Sequence, residues 1–173
     1  MAGQLVQVAT NTITSAVASV TIYDENPTDN RYIVAFNNIL CSSATGIRYR
    51  FTTGSGTEHS GSNYDQTSRR LQASADTDHT APVNQNSVNF TGVVVGTTVQ
   101  SVNGIIEIIN AGLSDQYTYA THKGSHFYNG QSVAGYQGGA CLKATQVTTG
   151  IKFFMQSGNL TSGSFTLYKQ VGS

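Results

Sequence analysis

SGNLTSGSFTLYK, residues Ser157–Lys169, is the stretch on which the fold turns. The triplet Asn159-Leu160-Thr161 has the form of a glycan acceptor, which would make this a decorated surface loop. The residues around it say otherwise. Gly158, Asn159 and Gly163 are turn formers, and beyond them Phe165 and Leu167 alternate with Thr166 and Tyr168. A period of two marks a half-buried strand. The stretch therefore reads as a tight reversal from the preceding GIKFFMQ into a final strand, with Phe165 and Leu167 turned inward.

The same alternation extends outward from there. In GIKFFMQ, Ile151, Phe153 and Met155 share a face. In GIRYRFTT, Ile47, Tyr49 and Phe51 form a dry face, and Arg48 and Arg50 a wet one. RYIVAFNNI (31–39) is apolar on both faces, as expected of a central strand. Leu5, Val6 and Val8 begin a short first strand, and ITSAVASVTIY (13–23) reads as one continuous second strand. GVVVGTTVQ and GIIEIIN read as an adjacent pair. No segment keeps a helical period. About nine strands with turn signals between them predict an all-β antiparallel sandwich in a single domain, 1–173. Two parts stand apart: an N-terminal strand or arm at 1–10, and a polar excursion at about 54–86. Within the excursion, YDQTSRRLQA reads as a short helix or edge strand anchored by Tyr64 and Leu71.

Composition narrows the function classes. Only 10% of the 173 residues are charged and the formal net charge is zero. Nucleic-acid binders carry a basic excess to neutralise phosphates, so nucleic acid is not an expected partner. No apolar run reaches membrane-span length, and the N-terminus lacks the basic and apolar regions of a secretory signal. The polar mass is hydroxyl, with 18 Ser and 22 Thr. Cys41 and Cys141 lie in strand-like stretches and read as buried free thiols, with a single disulfide as the other possibility.

Motifs for chemistry fall short one by one. DENPTDN (24–30) has the oxygens of a calcium loop, but Asp29 and Ala35 stand where that loop needs Gly and Glu. It reads as a turn. His122 and His126 have zinc spacing only on a helix, and Gly124 and Ser125 between them favour a strand. DTDH (76–79) lacks a fourth ligand. There is no nucleophile elbow and no phosphate loop. Catalytic, cofactor and metal residues are therefore all expected to be none. Two clusters read instead as partner or ligand surfaces: Arg48 with Arg50, and the aromatic segment Tyr117, Tyr119, Phe127, Tyr128 and Tyr136. Leu5, Val6 and Val8 join them if the first strand pairs with a neighbour.

Three quoted stretches also resemble a family of small β-rich virion proteins of marine tailed bacteriophages. These are SVTIYDENPTDNRYIVAFNNI, IRYRFTTGSGTEHSGSNYD, and the closing Ser-Gly-Asn turn followed by Gly-Ser-Phe-Thr-Leu-Tyr (163–168). Lys169 departs from the Gly that the family usually has there. The resemblance implies a jelly-roll-like sandwich without catalytic residues. It implies a capsid decoration (cement) protein on the major capsid protein shell, as a homo-oligomer and most simply a trimer. The competing expectation is a tail-fibre or tail-tip module binding a host surface glycan. Either role places the protein on the virion surface.

Overall fold

A computed structural model describes residues 3–27, 30–73, 75–91, 100–128 and 132–172. Thirteen strands run through these residues: β1 (Gln4–Ile13), β2 (Ser19–Tyr23), β3 (Arg31–Cys41), β4 (Ile47–Thr53), β5 (Thr57–Glu58), β6 (Tyr64–Gln72), β7 (Ala75–Thr80), β8 (Val88–Asn89), β9 (Val102–Ile109), β10 (Tyr117–Tyr128), β11 (Ser132–Thr145), β12 (Gly150–Met155) and β13 (Leu160–Val171). They form an eight-stranded sheet, β1-β13-β3-β9-β10-β11-β6-β7, and a smaller one, β2-β12-β4-β5, with β8 also paired to β4. All pairings are antiparallel. The all-β sandwich expected from the alternation is what forms, with thirteen strands in place of nine.

The topology is that of one long hairpin rolled up. β1 pairs with β13, β2 with β12, β3 with β9 and β4 with β8. Rolling then brings β13 beside β3 and β12 beside β4. These eight strands are the double-sheet arrangement of a jelly roll. Two insertions interrupt them, β5–β7 after β4 and β10–β11 after β9. They meet where β11 pairs with β6, and this widens the larger sheet to eight strands.

The core lies where the inward faces meet. Tyr32, Val34 and Phe36 of β3, Ile106 and Ile108 of β9 and Phe165 and Leu167 of β13 face Tyr49 and Phe51 of β4 and Ile151 and Phe153 of β12. Phe153 and Phe165 stack across the two sheets at 4.4 Å between centroids. Each such ring contributes about 1.5–3 kcal/mol by leaving water. This stack corrects the reading of the final reversal. β12 and β13 are not hairpin partners; the chain crosses between sheets at Ser157–Asn159, and the two strands pack face to face.

Glycine makes two close approaches possible. Gly163 (φ 111°) sits against the bulge of β3, where Asn38 is left-handed (φ 54°) and a Cβ on Gly163 would strike the Asn37 and Asn38 carbonyl oxygens. On the inner row Phe165–Phe36–Gly104–Gly124–Tyr136, the two glycines leave room that the Phe36 and Tyr136 rings fill.

Other expectations need correcting. ITSAVASVTIY is divided: Ile13 ends β1 in one sheet and Ser19 begins β2 in the other. Val17 makes a single bridge to Leu160 on the way. Residues 4–13 form a ten-residue strand along β13, longer than the short first strand expected and not a free arm. The 54–86 excursion is ordered into β5, β6 and β7, and β6 is interior to the larger sheet. Tyr64 anchors it, fully buried, but Leu71 is 49% exposed. Seven residues apart, the two share a face on a helix and opposite faces on a strand. Of the expected pair GVVVGTTVQ and GIIEIIN, residues 92–99 lie outside the described part, and β9 pairs with β3 and β10. Cys41 is buried and Cys141 half-buried, both free. Burial pushes the Cys41 thiol up to about 12.

Candidate functional site

The outward face of the widened sheet carries two ladders of side chains in register. One runs Ala35–Ile105–Lys123–Gln137–Arg69–His79, the other Ile33–Glu107–Thr121–Gly139–Thr67. The regular pleat projects all of these to the same side. Gly139 has no side chain to contribute, so the second ladder has a gap between Thr121 and Thr67. Gly138 precedes it in β11, and a groove of about 460 Å³ opens there. Thr67, Arg69, His79, Glu107, Thr121 and Lys123 are among the residues that line it. The groove lies on the two insertions and on β9.

Its polar groups are partly tied down. Thr121 Oγ1 donates to Glu107 Oε2 at 3.4 Å, and Arg31 forms an ion pair with Glu107. Thr67 Oγ1 and His79 Nε2 are 3.2 Å apart. Among the described residues nothing pairs with the exposed Lys123 ammonium. Arg69 has a partner of its own and Glu107 is held by Arg31, which leaves Lys123 as a cation open to a ligand.

On the opposite side of β10, His122 and His126 face the interior. His122 meets Tyr49 and Phe90 edge-on at 6.2 Å each, and His126 lies 5.7 Å from Tyr136. Burial pushes both imidazoles down to about 4, with Arg70 adding to the effect at His126. They are four residues apart on a strand, and no group of metal-ligating residues is found among the described residues. Phe90 also packs on Tyr136 at 5.6 Å, so the two histidines belong to an aromatic layer under the inserted strands.

The structure disperses the expected aromatic surface. Tyr117 and Tyr119 are exposed, at 43% and 46%, near the start of β10. Phe127 is half-buried near its other end, roughly 27 Å away along the strand. The Tyr128 side chain lies outside the described part. Tyr136 is buried at 4%, because its partner Gly124 leaves it an inward space. The arginine pair is not a free patch either. Arg50 Nη1 bonds Glu58 Oε2 at 2.9 Å, its Nε donates to the Asn86 carbonyl at 2.8 Å, and its guanidinium lies 4.8 Å over the Phe154 ring. Lys152 holds the other oxygen of Glu58 at 3.1 Å. Burial raises the Glu58 carboxyl, but its bonds to Arg50 and Lys152 outweigh this and hold it below its usual range. Arg48 is half-buried on the same face.

DENPTDN is a turn held by Asp24. Its carboxylate accepts from the Asn26 amide (3.0 Å), the Tyr32 hydroxyl (3.2 Å) and Lys169 Nζ (3.3 Å). Thr28 and Asp29 lie outside the described residues.

A second surface feature is the edge at β1. Among the described residues this strand pairs only with β13, so ten residues of backbone have one side unpaired. A bulge between Gln7 and Ala9 turns Val8 and Ala9 partly against the core, which removes Val8 from the surface. Leu5 and Val6 remain exposed, at 52% and 36%, on opposite faces of the strand.

Sequence reasoning placed Leu5, Val6, Tyr117 and Tyr119 on the surface and missed the groove. The legible signal was Gly138-Gly139 inside a strand, where glycine marks a close approach or an open face. Compared with protein-family models, curated proteins and solved structures, the chain matches none.

Proposed function

We propose that this chain is a non-enzymatic structural protein of a bacteriophage particle, a decoration protein that docks on the major capsid protein shell. The open ten-residue edge of β1, flanked by exposed Leu5 and Val6, carries the reading. Monomeric proteins blunt or cover such edges, because unpaired backbone recruits another strand. Here the edge offers main-chain hydrogen bonds to a neighbour, and the apolar side chains flank the join. A protein bound to the assembled shell stabilises it by mass action. The resemblance of the three sequence stretches supports the same role.

Light scattering on the purified protein tests the assembly step, with a trimer expected. Gel densitometry of purified particles tests the location. A copy number comparable to that of the major capsid protein supports decoration, and only a handful of copies refutes it. The groove on the inserted strands favours a second reading, a tail module that holds a host glycan. That reading predicts the low copy number.

A further inference from the structure

We propose that the groove over Gly139 binds a carboxylated saccharide. This inference holds whether the domain stands on the head or the tail of a particle.

The first support is the kind of groups presented. Thr121 and Thr67 flank the gap at Gly139, and Gln137 lies in the next row. Short hydroxyls and an amide, fixed on adjacent strands of one sheet, suit a ring with hydroxyls on successive carbons. Their spacing is set by the sheet, so little ordering is needed on binding. Glu107, held by Arg31, is a ready acceptor for a sugar hydroxyl.

The second support is charge. Lys123 and Arg69 stand in one row on either side of Gln137, two strands and roughly 10 Å apart. Glu107 sits in the other row, beyond Thr121. Arg69 has a partner of its own, so a ligand carboxylate is drawn toward Lys123 and repelled from the Glu107 end. This asymmetry orients an anionic sugar and gives a neutral one no such direction. Lys123 is the anchor of choice, since among the described residues its ammonium is unpaired.

The third support is shape. The volume of about 460 Å³ lies within the range of small-molecule sites. Ile105, at 36% exposure, lines the groove beside the polar groups and supplies apolar surface for a sugar's C–H face.

The test uses the whole chain and follows amide shifts by NMR as trigalacturonic acid is added. Maltotriose serves as the neutral arm and sodium acetate as the simple-anion arm. Trigalacturonate is expected to shift residues of β6, β10 and β11, with affinity that falls as salt is raised. Maltotriose and acetate are each expected to bind at least about tenfold more weakly. Lys123→Gln should weaken trigalacturonate at least about tenfold. Gly139→Val should block it by filling the gap. A Cβ there meets nothing closer than the Ala120 carbonyl oxygen at 3.4 Å, so the fold should be kept, as checked by the thermal midpoint. No shifts up to the millimolar range would overturn the proposal. So would unchanged binding in both folded variants, or acetate binding as tightly as the trisaccharide.

Discussion

Lowering the pH from 7.5 to 4.5 should destabilise the domain through His122 and His126. Each imidazole has a folded value of about 4 against 6.5 for an unperturbed group. The unfolded chain therefore takes up protons that the folded protein refuses, and stability falls as pH drops through 6.5 toward 4. Above 6.5 the contribution is fully present. By pH 4.5 each histidine accounts for about 2.5 kcal/mol, and the two together for roughly 5 kcal/mol. In a domain of this size that is a fall of about 10–20 °C in thermal midpoint. The groups facing the pair include Tyr49, Phe90, Tyr136 and Arg70, and Arg70 opposes a charge on His126. Glu58 and Asp65 have depressed values, so their contribution is present above the unfolded carboxylate range and is lost below it. Stopping at pH 4.5 keeps most of that separate. Urea midpoints at intervals across the window are the assay. His122→Leu should keep its stability at pH 7.5 and lose about half of the acid sensitivity. A flat wild-type profile, or an unchanged slope in a folded His122→Leu variant, would refute the reasoning.

Phe165→Ala should cost about 3–5 kcal/mol in urea denaturation, through loss of the Phe153 stack and the cavity left behind. Phe165→Asp should leave no folded protein by circular dichroism, since a buried unpaired carboxylate is among the costliest changes. Gly124→Ala places a methyl against the Tyr136 hydroxyl and the Asn103 carbonyl. It should lower stability by about 1–3 kcal/mol in the same assay. Val6→Lys should leave monomer stability within about 0.5 kcal/mol, because the site is exposed, while shifting light scattering toward the monomer.

The strand faces were legible wherever a single period held. Ile47, Tyr49 and Phe51 are buried as the alternation required, and so are Ile151, Phe153 and Met155. What sequence could not give is which sheet a strand joins. The alternation through Ala16 and Ala18 continues unbroken while the chain crosses from one sheet to the other, because a crossing segment at the rim has no need to change its polarity. Tyr136 was misplaced for a related reason. Its burial is decided by a glycine on the facing strand, twelve residues earlier in sequence. The groove draws on five strands brought together by pairing between two insertions, and no local pattern encodes that. Gly163 and Ser164 of the closing stretch lie against the Asn37–Asn38 bulge of β3, a contact 125 residues apart in sequence that no local pattern announces.

The position of β13 has a consequence for the order of events in synthesis. It lies between β1 and β3, pairing the thirteenth strand with the first and third and filling the gap in the larger sheet. Until β13 leaves the ribosome, β1 has no neighbour in its sheet among the described residues and β3 has one bare edge. The nascent chain must therefore wait with sticky edges exposed, and closure is a late, long-range step of the kind that folds slowly. A chain cut short before Leu160 would lack the strand that joins its two halves, and would be expected to aggregate instead of folding as a smaller domain.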